Sequence, residues 1–211
     1  MDDGARRTAG QITVFVLDDH AMVRDALTDY INTDPQMTVV GSAGGVDEAL
    51  AGIAATEPAV AVLDARLREG SGMTVCREVR ARHPQVRCVL LTSHSEQEAH
   101  VAARLAGASG YLIKELTGGS LLDGIRTVAG GGSLFTAEEE LQPLVDDLCE
   151  RRAVRLSAQQ HRVVAGALDG ASNAEIADAT HQTASDVRGQ LDAIFQGLGI
   201  GGGRRSAGPA R

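Results

Sequence analysis

Four short apolar runs in this chain end on a residue that can do chemistry: Leu17-Asp18-Asp19, Leu63-Asp64, Leu91-Thr92 and Ile113-Lys114. Lys114 is the single lysine; the other nineteen of the twenty basic residues are arginine. Taken singly these residues are ordinary, since a strand-terminal Asp often caps the next helix. Brought together they are not. Three carboxylates in one crevice repel and raise one another's pKa unless a cation neutralises them. A hard divalent ion answers that need, and Mg²⁺ suits best because it takes one or two carboxylates and completes its octahedron with water and phosphate oxygens. A lysine at the rim then calls for an anion. An Asp beside a metal and a lysine is placed to attack phosphorus and form an aspartyl phosphate, and the Thr92 hydroxyl can donate to a phosphoryl oxygen.

The elements that must position these residues follow from hydropathy. Val-, Leu- and Ile-rich runs at 12–17, 37–43, 59–63, 86–92 and 110–113 read as strands buried on both faces. Between them, 21–32, 46–56, 73–82, 96–106 and 121–129 carry apolar residues at helical spacing. Alternating strands and helices predict a doubly wound α/β domain with a five-stranded parallel sheet and right-handed crossovers. Ligands of such sheets sit at the carboxyl ends of the strands. If the first and third strands are neighbours, Asp18, Asp19 and Asp64 converge there, with Thr92 and Lys114 beside them. After Gly130-Gly131-Gly132, a helix is expected over 136–149 with Glu138, Glu139 and Glu140 in its first turn, then a basic connector over 151–155. Helices follow over 158–168, 173–179 and 184–198, and the Gly-rich stretch 201–211 is expected to be disordered.

Composition sets the outer bounds. The 211 residues are 43% hydrophobic with a net charge of −8, which suits a folded core and excludes global disorder. No run approaches the roughly 18 apolar residues of a membrane span, and the N-terminus lacks a secretory pattern. Cys76, Cys88 and Cys149 form no CxxC, so a soluble protein of a reducing cytoplasm is expected. Aromatic residues are 2%, too few for a base-stacking platform. Residues 1–150 hold 12 basic and 23 acidic side chains, a net of −11, while 151–211 hold 8 and 5, a net of +3. That break predicts a domain boundary near 150.

The segments VLDDHAMVRDAL, VAVLDARLREGSGMTVCREVR, CVLLTSH and AGASGYLIKEL resemble the receiver domain of two-component response regulators. The DDH triplet, ASGYLIKEL and GGGSLFTAEEE are similar to the NarL/FixJ subfamily, whose effector is a LuxR-type helix-turn-helix. The resemblance implies a flavodoxin-like sheet of order 2-1-3-4-5 and a histidine kinase partner. By it, Asp64 is the phospho-acceptor. Asp19 and Asp64 would ligate Mg²⁺ directly with the backbone carbonyl of Arg66, and Asp18 would act through water. Thr92 and Lys114 would hold the phosphoryl oxygens, and Tyr111 would be the aromatic that rotates inward when Thr92 moves. Arg66 and His94 stand at positions that in the family tune phosphate lifetime. Arg68 stands where the family usually has proline. That departure is expected to loosen a loop while removing no ligand.

In the C-terminal part, LSAQQHRVV, DGASNAEIA and the frame of Val187, Leu191, Ile194 and Leu198 resemble the LuxR-type module. Thr180, His181 and Gln182 stand where the family places three apolar residues, and burying them would leave polar groups to satisfy. Asp186, Arg188 and Gly189 stand where Thr, Lys and Asn usually face DNA, Asp192 adds a second acid, and 201–211 does not supply the family's fourth helix. Arg188, Ser185 and Gln190 are the candidate DNA contacts, with Arg204 and Arg205 in the tail. The expected organisation is a receiver over 11–132, a linker helix and connector over 133–155, a small all-α helix-turn-helix-like domain over 156–200 and a tail over 201–211. The expected function is phosphate-controlled transcription regulation through DNA, with dimerisation on activation, no membrane and no enzymatic turnover. The alternative is a regulator working through protein contacts with an effector defective for DNA. A phospho-aspartyl hydrolase would need an acid where Arg66 stands.

Overall fold

The computed structural model of the chain describes residues 10–92, 97–114, 120–135 and 141–200. The first part alternates β1 (Ile12–Leu17), α1 (Ala21–Asn32), β2 (Met37–Ala43), α2 (Val46–Thr56), β3 (Val60–Asp64), α3 (Gly72–Arg82), β4 (Arg87–Thr92), α4 (Gln97–Leu105), β5 (Gly110–Ile113) and α5 (Ser120–Ala129). All ladders are parallel and the order is β2-β1-β3-β4-β5, the doubly wound arrangement expected. Strands three and four start one residue later than their apolar runs, so β3 takes in Asp64 itself. Of the sequence expectations, His94, the first residue of the helix expected over 96–106, Glu138–Glu140 and the tail with Arg204 and Arg205 lie outside the described residues.

The sheet buries both faces. Phe15, Leu17, Leu63, Cys88 and Leu90 pack under α2, α3 and α4. Val14, Val16, Val62, Val89 and Leu91 pack under α1 and α5 through Ile31, Ile125 and Val128. Such two-sided burial is why these runs read as continuous apolar stretches. Helix α3 starts at Gly72 because Ser71 caps it, its Oγ accepting from the Met73 N–H at 3.1 Å. Gly72 is there for space: a Cβ would lie 2.1 Å from the Asp64 carbonyl oxygen. The end of β3 and the start of α3 are in direct backbone contact.

The second part holds α6 (Leu141–Arg151), α7 (Ala158–Leu168), α8 (Asn173–Thr180) and α9 (Ala184–Leu198). Capping boxes start the last three, pairing Ser157 with Gln160, Ser172 with Glu175 and Thr183 with Asp186. Asp186 is therefore a structural residue, its carboxylate accepting from the Thr183 N–H and Oγ, and those bonds hold it below the ordinary carboxylate range. The polar turn between α8 and α9 is not fully buried: His181 is exposed at the C-cap of α8, Thr180 and Gln182 are half-buried and hydrogen-bonded, and Gln190 Oε1 is buried without a partner. Thr180 Oγ1 donates to the Ile176 carbonyl at 2.6 Å, Gln182 Nε2 donates to Thr180 Oγ1 at 2.8 Å, and Gln190 donates to Gln182. The apolar cluster under α3 and α4 continues without a break through Leu141, Val145, Val164, Leu168, Val187, Leu191 and Phe195. Among the described residues, no helix is long and apolar enough to cross a membrane.

Candidate functional site

Strand register builds the pocket. Leu17 pairs with Leu63, Asp64 with Leu91, and Thr92 with Ile113. The residues that follow those pairs therefore leave the sheet at one edge and one height. Lys114 is the centre of what they form. Its Nζ lies 2.7 Å from Asp18 Oδ2 and 3.0 Å from Asp64 Oδ2. Asp18 is fully buried, and its Oδ1 accepts from the His20 N–H at 2.9 Å. Asp64 is almost as deep, and its Oδ1 accepts from the Arg66 N–H at 3.2 Å. Burial pushes the Asp64 carboxyl up, only partly opposed by the Lys114 hydrogen bond and charge. Burial pushes the Lys114 ammonium down, but the hydrogen bonds and charges of Asp18 and Asp64 together outweigh it, so the amine stays protonated above the ordinary lysine value.

Asp19 differs from its neighbours. Its side chain is 9% exposed, its Oδ2 accepts from the Arg68 N–H at 2.8 Å, and Arg68 Nε lies 3.4 Å from the same oxygen. Its Oδ1 lies 2.8 Å from His20 Nδ1, yet no hydrogen bond reaches it and it is buried. A buried carboxylate oxygen without a donor is a place that favours a cation. Asp18, Asp19, His20 and Asp64 each offer one ligand atom, all within 4.8 Å of one another. The residues present thus fit a hard divalent ion. Thr92 and Tyr111 are buried, and the Lys114 N–H donates to the Thr92 carbonyl at 2.6 Å. The Tyr111 ring meets His100 edge-on at 4.6 Å, and His100 in turn meets Phe135 at 6.4 Å.

The candidate DNA contacts of α9 are distributed differently. Ser185 is exposed. Gln190 is engaged with Gln182 inside its own module. Arg188 is ion-paired with Glu78 of α3, while Arg77 of α3 binds Asp192 at 2.7 Å and lies 4.6 Å over the Phe195 ring. Arg188 and Asp192 of α9 are thus both spent on α3, while Asp186 is held in its own helix cap. Arg104 of α4 completes the contact. It is buried, donates from Nε to the Leu168 carbonyl at the end of α7, reaches Ser133 Oγ at 3.3 Å and lies 5.1 Å from the Phe135 ring centre. Sequence reasoning found Asp18, Asp19, Asp64, Thr92 and Lys114 but passed over the roles of His20, Arg68, Arg77, Glu78 and Arg104. Only the Arg68 departure from proline offered a signal.

The family model of the response regulator receiver domain matches residues 14–126. The chain is 37% identical over 193 residues, 90% of this chain and 89% of the other, to the DNA-binding transcriptional activator DevR/DosR of Mycobacterium tuberculosis. It is 27% identical over 192 residues, 90% of this chain and 91% of the other, to the response regulator protein VraR of Staphylococcus aureus. A LuxR-family two-component response regulator from Aurantimonas sp. SI85-9A1 superposes with a TM-score of 0.58 at 26% identity, covering 63% of this chain and 96% of that one. RcsB from Salmonella enterica serovar Typhimurium, bound to promoter rprA, shares the fold over 90% of this chain and 93% of its own, with a TM-score of 0.52 at 17% identity. Pocket, sheet order and relatives agree: the chain belongs to the two-component response regulators.

Proposed function

We propose that Asp64 accepts a phosphoryl group from a histidine kinase and that the modified chain regulates transcription by binding DNA through its C-terminal domain. In this reading the receiver spans 11–132, the linker helix and connector 133–155, and the helix-turn-helix-like domain 156–200. The observation that carries it is Lys114 bridging Asp18 and Asp64 beside the orphan oxygen of Asp19.

An Asp64 oxygen forms the new bond to phosphorus as the phosphorus–nitrogen bond to the kinase imidazole breaks, and the imidazole leaves with that electron pair. Lys114 then faces a phosphoryl dianion, and Thr92 stands within the same edge to donate its hydroxyl. Mg²⁺, when bound, neutralises charge developing on the transferred oxygens. Asp19, Asp64 and the Arg66 carbonyl would hold it, and Asp18 would act through water. Asp19 Oδ1 accepts no hydrogen bond, which supports Asp19 as a direct ligand, while both Asp18 oxygens already accept one. The relative DevR/DosR is named a DNA-binding activator. For this chain to act likewise, Arg188 must leave Glu78, because a guanidinium held on a carboxylate cannot neutralise a phosphate. Dimerisation of the modified form would place two α9 helices on paired half-sites.

Intact-mass measurement after treatment with acetyl phosphate and Mg²⁺ tests the first step. One phosphate on the wild type and none on Asp64→Asn is the expected result; an adduct that survives the substitution removes Asp64 from its role. Retardation of upstream DNA by the phosphorylated chain tests the second. Absence of binding at modest salt leaves an effector that works through protein contacts, the reading that Asp192 on α9 favours.

A further inference from the structure

Asp19 stands out because its two oxygens live in different worlds. Oδ2 receives two contacts from one residue, the Arg68 N–H at 2.8 Å and the Arg68 Nε at 3.4 Å. Oδ1 is buried and receives no hydrogen bond, with the His20 Nδ1 atom 2.8 Å away as its polar neighbour. Proline, the residue usual at this place in the family, could supply neither Oδ2 contact, since it has no N–H and no charge. Arg68 therefore brings a backbone donor and a cation to a carboxylate 49 residues away in the chain.

These two gifts act in opposite directions on a divalent ion. The N–H fixes the rotation of the carboxylate and keeps Oδ1 available, which is what an outer-shell donor does for a ligand. The guanidinium draws negative charge toward Oδ2 and repels an incoming cation. The Arg68 side chain is 71% exposed, so water screens the repulsion without abolishing it. We propose that Arg68 sets the Mg²⁺ threshold of this receiver: its backbone orients Asp19 for the ion while its side chain weakens the pull of Asp19 on that ion. The pocket then fills only at higher Mg²⁺ than the same pocket with a neutral residue at 68. This rests on the Mg²⁺ reading given above.

Calorimetric titration of the full chain with MgCl₂ at low salt decides it. Arg68→Ala, which keeps the N–H and removes the charge, should bind about three- to ten-fold more tightly than wild type, and the gap should narrow as NaCl screens the guanidinium. Arg68→Pro, which removes donor and charge together, should bind more weakly than Arg68→Ala. Glu69→Gln changes the charge of the same exposed loop one residue along and should shift the affinity much less. Equal or weaker binding by Arg68→Ala overturns the proposal. So does an opposite shift of equal size in Glu69→Gln, which would mean loop charge alone is felt. Equal binding by the alanine and proline variants removes the orienting half. Loss of binding in Asp19→Asn supports the underlying metal reading; equal binding by Asp19→Asn and wild type sinks that reading and the threshold with it.

Discussion

The pocket at the sheet edge and the surface of α9 are both built from charged side chains, yet they hold their charges in different ways. In the pocket, Asp18, Asp64 and Lys114 come from the ends of three strands whose register leaves them no other place to go. On α9, Arg188 and Asp192 meet Glu78 and Arg77 only because one domain is packed on the other. The first arrangement is set by the sheet alone. The second depends on how α9 packs on α3. The switching proposed above would use one of each, a fixed place to receive a phosphoryl group and a charged contact to release.

Breaking the fixed side should have the largest effect. Lys114→Met is expected to slow phosphate uptake from acetyl phosphate about 100-fold or more, as loss of a charge-stabilising donor does. It should also cost about 1–3 kcal/mol in urea unfolding, because Asp18 and Asp64 would face each other without their shared cation. If uptake is unchanged, the pocket is not the site of chemistry. Next comes Arg104→Ala at the conditional side. Removing the buried donor to the Leu168 carbonyl should loosen the packing of α7 on α4 by about 1–3 kcal/mol. Limited proteolysis of the connector at 151–155 should quicken accordingly, with phosphate uptake little changed. Equal cleavage of variant and wild type would mean the apolar contact alone holds the domains.

A smaller effect is expected from Glu78→Ala. The pair with Arg188 is partly exposed, so its loss should raise DNA binding by the unphosphorylated chain no more than about five-fold. Fluorescence anisotropy with a labelled duplex measures this, and a fall in affinity would contradict the view that Glu78 holds Arg188 away from phosphate. The smallest concerns His100, which packs between Tyr111 and Phe135. Burial holds its pKa below 6.5, so the unfolded chain takes up this proton first. Stability from His100 is therefore whole above pH 6.5 and is lost as pH falls from there through the lower folded value. Melting curves across that range should drop further for wild type than for His100→Gln; parallel curves would place the acid sensitivity elsewhere.

The contrast also explains what could be read from the chain alone. The pocket was legible because parallel strands put their ends on one edge, and the apolar runs marked those ends to within a residue. The carboxylates follow from period and topology without any knowledge of side-chain geometry. Arg68 was legible only as an oddity. Nothing in a loop sequence says that a side chain and its own N–H will both turn onto Asp19. The ion pair of Arg188 and Glu78 spans 110 residues, and no periodicity marks Glu78 as an acid that packing will largely bury. The polar turn misled for a different reason. His181 stays exposed and Thr180 and Gln182 are half-buried and bonded, so most of the expected cost is avoided, and what remains is the unpartnered Gln190 Oε1. Likewise Asp186, which reads as a charge aimed at DNA, is the reciprocal half of a helix cap.

Gly72 ties the two regions mechanically. Because α3 begins against the Asp64 carbonyl, β3 and the helix bearing Arg77 and Glu78 cannot shift independently at that point. From residue 72 to residue 78 a helix rises about 9 Å. A lever that short, stiff along its axis and footed on Asp64, has its far end under α9. One added methyl group at its foot would displace both the Asp64 backbone and the ground on which α9 rests, so a lesion at residue 72 would register as two separate defects with a single origin.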